Sequence, residues 1–360
     1  MLREREEGAR AVYQRARESH RAQRWTEAAR GYEAALAGGD GPPTWYLNLG
    51  RVRERAGRTR AAARAYEAAL DRDPASTALD RHLLAQSTKR FPARRAMARF
   101  VAEHLDEIQR RARETPRAGE APDSAVDGVP PRIWVYWAQG MDAAPEVVRL
   151  CHDQLKRFHE SDELVVLDDA CERQLTRIPD EIRDKTGDNL TRHSDLVRLE
   201  VLSRYGGIWL DATCLVRTRV PAVMSNLGTA GFFAFTYRTG RLSSWCLASR
   251  RRHDVVTMMR EAEHVFWERN DKAIDYYDLH HMFEALCHLD PQFRAHWTGT
   301  PRLSVAPPNA FRRAMWEPYE PRRFRQLLDS SFVHKLTYKY DDSQVGEDTM
   351  LGRLLERGPH

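Results

Sequence analysis

Residues 191–214 read TRHSDLVRLEVLSRYGGIWLDATC, and this stretch decides the fold class. Leu196, Leu199 and Leu202, with Ser203 beside it, recur at helical spacing and define one buried face. Asp195 and Arg198 stand three apart on the neighbouring stripe, where they can pair. Tyr205 and the Gly206–Gly207 pair close the helix, because glycine readily takes the left-handed backbone that a cap requires. Ile208, Trp209 and Leu210 then form a strand, with Asp211 at its end. The carboxyl ends of strands are where open α/β sheets bind ligands. A carboxylate there can hold a divalent cation against a diphosphate, whose own oxygens complete the metal's shell. A departing nucleoside diphosphate gathers negative charge, which a metal or cationic side chains stabilise.

Outward from this stretch the pattern alternates. Strands are predicted at 132–138, 163–168, 206–216, 231–237 and 243–248. Helices are predicted at about 144–159, through much of 170–205, at 253–270 and at 275–288. Such alternation argues for an α/β sheet covered by helices. Residues 116–130, PRAGEAPDSAVDGVP, lack periodicity and read as a linker, so the α/β domain is assigned to 131–360. Residues 1–115 are different. TEAARGYEAAL at 26–36 recurs as RAAARAYEAAL at 60–70, matching Ala28/Ala62, Ala29/Ala63, Tyr32/Tyr66, Glu33/Glu67, Ala34/Ala68, Ala35/Ala69 and Leu36/Leu70 at a separation of 34. That is the tetratricopeptide period, with Gly57 at a turn and Pro74 after a helix. Residues 76–115 read as further helix that caps the stack. Such repeats hold protein partners or extend a surface.

Composition narrows the function classes. Of 360 residues 42% are hydrophobic and 30% charged, as in soluble globular proteins. No stretch approaches the roughly 18–20 apolar residues of a transmembrane helix, and the charged N-terminus lacks a signal peptide's apolar run. A cytoplasmic protein is expected, with peripheral attachment to the inner face of the membrane allowed. The five cysteines, Cys151, Cys171, Cys214, Cys246 and Cys287, show no zinc-ligand or redox spacing and read as reduced thiols. The net charge of +5 divides into +8 over residues 1–120 and −3 over the remainder. Acids are mixed with these bases along the same helices, so nucleic acid is not an expected partner. P-loop, G-x-S-x-G and H-E-x-x-H signatures are absent from the sequence.

The run Ser194-Asp195, Arg198, Gly206-Gly207-Ile208-Trp209-Leu210-Asp211-Ala212-Thr213 resembles the capsular polysaccharide synthesis protein family. That family is related to the transferases of glycosyltransferase family 32 and to the clostridial glucosylating toxins. Tyr136–Gly140, Asp275-Tyr276-Tyr277 and His334–Lys339 resemble the same family, so the likeness spans roughly 132–339. The resemblance implies a GT-A type nucleotide-sugar-binding domain and a sugar transfer to a glycan hydroxyl in bacterial surface polysaccharide assembly. It implies retention of configuration, a UDP-sugar as donor, and Mn²⁺ or Mg²⁺ as cofactor. Trp137 would stack on the donor's base. Ser194, Asp195 and Arg198 would contact the donor sugar and diphosphate, with Asp211 on sugar or ribose hydroxyls, and His334 and Lys335 would reach the phosphates. Asp195, Arg198 and Asp211 form the catalytic set implied, and Asp211 with Thr213 the metal set. Thr213 departs from the related pattern, which has aspartate there; a hydroxyl is a poorer metal ligand than a carboxylate.

Plainer readings exist for each residue. Trp137 fits a core strand, Asp195 and Arg198 an intrahelical ion pair, Trp245 an ordinary strand, and Asp275 a helix N-cap. Adjacent His280 and His281 cannot both face one metal from a helix. A degenerate transferase that only binds a nucleotide sugar, or a partner through its repeats, is the principal rival function. A protein or peptide glycosyltransferase is another.

Overall fold

The computed structural model describes residues 2–38, 41–73, 90–114, 129–237, 240–341 and 345–359. The expected linker at 116–130 falls outside them except for its last two residues. So do Pro74, residues 76–89 of the helical stretch expected at 76–115, and the side chains of Ala63 and Leu70. The chain forms two units: Met1–Leu105 with Ala273–Pro291, and Asp106–Lys272 with Gln292–His360.

The first unit begins with helices Leu2–Arg21, Trp25–Ala35, Pro43–Arg55 and Thr59–Arg72, each packed on the next. Residues related by the 34-residue spacing do equivalent work. Ala28 and Ala62 are fully buried, as are Tyr32 and Tyr66. The Tyr66 hydroxyl donates to Glu54 at 2.8 Å, while that of Tyr32 lies 3.0 Å from His20 Nδ1. Gly50 faces the Tyr66 ring so closely that a Cβ would lie 2.5 Å from it. Small residues therefore set how near the helices come. The segment Ala273–Pro291, including helix Asp278–Leu289, belongs to this unit although the sequence places it inside the α/β region. An ion pair of 2.8 Å between Arg94 and Glu284, with side chains 6% and 9% exposed, ties it there. Asp278 accepts from the backbone amides of Ile274 at 2.9 Å and Asp275 at 2.7 Å, which fixes the start of this helix.

The second unit is built on a six-stranded sheet. Its strands are β1 (Ile133–Tyr136), β2 (Leu164–Leu167), β3 (Gly207–Leu210), β5 (Phe232–Thr236), β6 (Leu242–Ser249) and β7 (Arg302–Ser304), in spatial order β2-β1-β3-β6-β5-β7. β2, β1 and β3 are parallel; β6 runs antiparallel to β3 and β5, and β7 is parallel to β5. Every residue of β1, β3 and β5 is buried, as continuous apolar strands covered on both faces require. The chain leaves β1 for β2 on one side and returns to β3 on the other. The carboxyl ends of β1 and β3 thus flank a topological switch point, the usual ligand crevice of such sheets.

The single strand expected at 206–216 is two. β3 ends at Leu210, and β4 (Cys214–Val216) pairs with β8 (Val333–Lys335) in a separate two-stranded sheet. The Cys214 amide donates to the Asp211 carbonyl at 2.9 Å, closing a turn over 211–214. β7 has no counterpart in the sequence reading, since its three exposed residues show no apolar alternation. All five cysteines are free thiols. Among the described residues, no helix is long and apolar enough to cross a membrane.

Entry into β3 depends on two glycines. Gly206 (φ +67°) and Gly207 (φ +107°) are both left-handed, and a Cβ on Gly207 would meet the Arg132 carbonyl oxygen at 2.5 Å. Trp134 seals the junction, its indole donating to the Gly206 carbonyl at 2.8 Å. Gly240 is also left-handed (φ +80°) but has open space around it. Gly207→Ala is expected to cost at least about 2 kcal/mol, combining strain with a backbone clash. Gly240→Ala should cost only about 1 kcal/mol. Urea unfolding of both variants checks the ordering.

Candidate functional site

The turn between β3 and β4 holds the charged cluster. Helix Leu190–Tyr205 buries Leu196, Leu199 and Leu202, and this fixes the rotation of its polar stripe. Ser194, Asp195 and Arg198 lie on that stripe. The Arg198 guanidinium pairs with Asp195 through Nη1, and through Nη2 it reaches Asp211 Oδ1 at 3.1 Å and Ser194 Oγ at 3.3 Å. It also lies over the Trp209 ring, 5.2 Å from the centroid. Trp209 and Asp211 are two apart on an extended chain and share a side; the indole donates to Asp211 Oδ1 at 3.0 Å. Asp211 keeps its own backbone in the sheet, its amide donating to the Trp245 carbonyl at 2.9 Å.

The other carboxylate oxygen is taken from a distant part of the chain. Lys335, last residue of β8, lies opposite Cys214 in the register. Its ammonium donates to Asp211 Oδ2 and to Thr213 Oγ1, each at 2.7 Å. Burial works to raise the Asp211 pKa, but the charges of Lys335 and then Arg198 outweigh it and hold the carboxyl down at about 2. The Asp211 side chain still keeps 25% of its surface, so the anion is screened by partners rather than sealed from solvent.

The structure gathers Ser194, Asp195, Arg198, Asp211, Thr213 and Lys335. It does not bring His334 among them. Successive strand residues face opposite ways, so with Lys335 turned to the cluster, His334 is fully buried with Nε2 2.8 Å from the Leu328 carbonyl. Burial lowers its pKa and keeps it neutral. Trp137 directly follows β1 and is half-buried. Tyr338 crosses it edge to face at 5.0 Å, and the indole N–H has no acceptor among the described residues. Trp245 is packed in the core, stacked on Phe235 at 5.0 Å.

Two features escaped the sequence reading. Trp209 was legible only as a strand residue, although its i, i+2 relation to Asp211 signals a shared side. The other is a buried network behind the helix start. Glu172, 1% exposed, pairs with Arg183, accepts from Thr176 at 2.7 Å and lies 2.9 Å from His193 Nε2. Burial alone would raise its pKa, yet hydrogen bonds from His193 and Arg183 bring it to about 2. The network ties helices Asp169–Leu175 and Asp180–Thr186 to the residue that precedes Ser194.

The cluster suits a resident divalent cation poorly. At the β3–β4 turn the metal-type donors are the Asp211 carboxylate and the Thr213 hydroxyl, which an ammonium already bridges, and the cluster's other carboxylate, Asp195, is paired with Arg198. Among the described residues no group of three or more His, Cys, Asp or Glu side chains gathers as a cation site. Hard divalent cations favour several oxygen ligands and carboxylate charge.

A family model described as capsular polysaccharide synthesis protein matches residues 83–354. The chain belongs to that family. The match takes in the whole sheet and every member of the charged cluster, so the family assignment and the geometry concern the same residues. It places the chain in capsule synthesis. No curated protein and no solved structure matches the chain.

Glu172→Ala would leave Arg183 buried without its carboxylate, and a loss of about 3–5 kcal/mol in denaturant unfolding is expected. Asp211 yields a pH prediction. Its folded pKa of about 2 lies below the ordinary 3.8, so its stabilising contribution is full above about pH 4 and is lost as pH falls through 2. The stability difference between wild type and Asp211→Asn should therefore shrink from pH 5 to pH 2.

Proposed function

We propose that this chain is a glycosyltransferase that moves a sugar from a nucleotide diphosphate sugar to a hydroxyl of a glycan acceptor during capsular or surface polysaccharide assembly. The observation behind this reading is the Asp211 carboxylate, held between Arg198 and Lys335 at the carboxyl end of β3. The three parallel strands β2-β1-β3 and their switch point support a GT-A type reading of the sheet. Membership in the capsular family supports the product class.

The chemistry follows from charge. Cleaving the bond from the anomeric carbon to the diphosphate sends its electron pair to a phosphate oxygen. Fixed cations beside that oxygen lower the barrier because they interact more strongly as charge develops. Arg198 and Lys335 fill that role, Asp195 and Ser194 hold Arg198 in place, and Asp211 orients both cations and accepts from donor hydroxyls. Trp137 offers an aromatic surface for the base at the end of β1. Retention of configuration fits a same-face attack in which the departing phosphate takes the acceptor's proton. The helical first unit, with its repeated pairs, supplies a surface suited to a protein partner.

The test is hydrolysis of, and transfer from, a panel of UDP- and GDP-sugars, with CMP-sugars as monophosphate controls. Asp211→Ala is expected to reduce donor hydrolysis by about 10²–10³-fold, the scale of losing an electrostatic contact in a transferase site. Failure of the folded wild type to bind any of these donors would overturn the assignment.

A further inference from the structure

Sites that hold a nucleoside diphosphate through a divalent cation need a carboxylate free to bind it. In this chain both oxygens of Asp211 have donors. Oδ1 accepts from Arg198 and Trp209, and Oδ2 accepts from Lys335. The Lys335 ammonium lies 2.7 Å from Asp211 Oδ2 and 2.7 Å from Thr213 Oγ1, so it occupies the point between the two side chains that a cation would bridge. Thr213 suits this arrangement. A hydroxyl accepts a hydrogen bond from an ammonium without adding charge, and the cluster of Asp195, Asp211, Arg198 and Lys335 is neutral as it stands.

Lys335 is also held in place through its backbone. Its amide donates to the Pro308 carbonyl at 3.0 Å, and the next amide, of Leu336, donates to the Thr213 carbonyl at 2.9 Å. The strand that presents the ammonium is therefore bonded to the turn that presents its acceptors. The side chain is 17% exposed, which leaves the head group little room to swing away. Capacity for an anion remains. An ammonium has three N–H donors, and two are used here. Arg198, whose side chain is 5% exposed, has a buried Nε with no acceptor among the described residues. A buried donor without a partner is costly unless a ligand completes it.

We propose that Lys335 stands in for the divalent cation, so that this chain binds the diphosphate of its donor without metal, through the Lys335 ammonium and the Arg198 guanidinium. The proposal rests on the nucleotide-sugar reading above and goes beyond it by naming what neutralises the diphosphate.

Two measurements test it. The first is calorimetric binding of UDP and GDP to the full chain, in EDTA and in Mn²⁺. Wild-type affinity for the nucleotide that binds should differ by less than about threefold between the two media, below the tenfold or more that a charged contact contributes. Lys335→Ala should weaken binding in EDTA by about 10–100-fold. The second is titration of the protein alone with Mn²⁺, followed by the electron paramagnetic resonance of the free ion. Wild type should leave the free-ion signal unchanged, whereas Thr213→Asp/Lys335→Ala, with a second carboxylate and no ammonium, should deplete it. Circular dichroism establishes that the variants fold; if Lys335→Ala does not, Lys335→Met keeps the aliphatic stem and serves in its place. Nucleotide binding that appears only with Mn²⁺, or Mn²⁺ depletion by wild type alone, overturns the proposal and leaves the transferase reading intact. Absence of nucleotide binding in both media by folded wild type overturns the transferase reading and this proposal with it.

Discussion

The helix that presents Arg198 and the strand that presents Asp211 meet at a junction with no space for a side chain. Gly206 and Gly207 bring the backbone against the Arg132 carbonyl and the 249–251 segment, in conformations that residues with a Cβ rarely adopt. This close approach lets β3 enter the sheet beside β1 immediately after the helix ends. Arg198 and Asp211 then lie thirteen positions apart in sequence, and the reversal brings their side chains to 3.1 Å. Trp134 and Trp209 reinforce the junction from its two ends, one bonded to the Gly206 carbonyl and the other to the Asp211 carboxylate. The site geometry is thus a consequence of packing before it is a matter of charge.

Charge is then arranged on that scaffold so that each ion has a partner. Removing a charge from water costs several kcal/mol unless it is paired and hydrogen-bonded. Asp211 meets this condition with two cations and an indole, Glu172 with Arg183, His193 and Thr176. The two clusters differ in what they leave open. Glu172 is 1% exposed and serves to fix the helices behind the site. The Asp211 cluster keeps exposed surface and a donor on Arg198 without an acceptor among the described residues, which suits a ligand rather than a purely structural role.

Much of this was legible in the sequence, for reasons that also mark where reading stopped. Periodicity identifies buried residues, and Leu196, Leu199 and Leu202 were identified that way. The 34-residue spacing placed Tyr32 and Tyr66 in equivalent buried positions for the same reason. The Gly-Gly-Ile-Trp-Leu-Asp-Ala-Thr run sufficed to suggest the family. Periodicity does not say what a residue is buried against. Neither spacing nor residue type tells which of the neighbours His334 and Lys335 faces a ligand; β4–β8 pairing decides it. The Glu172 network joins residues up to 21 positions apart across three helices. Ala273–Pro291 belongs to the first unit, where Glu284 pairs with Arg94 across 190 positions of sequence. β3 and β4 read as one strand because both are apolar, and the turn between them contains Asp211 and Thr213, the polar residues of the site.

That turn also explains why the small β4–β8 sheet matters. A lysine from the C-terminal region reaches Asp211 across 124 positions in sequence, so its ammonium is placed only when β8 has paired with β4. The bond from Leu336 to the Thr213 carbonyl extends that pairing into the turn itself. Assembly of the cluster is therefore coupled to docking of the C-terminal segment. Any disturbance of β8 would remove one of the two cations from Asp211 and leave a partly buried carboxylate underpaired. The same contact that completes the site electrostatically thus makes the last part of the fold a condition for it.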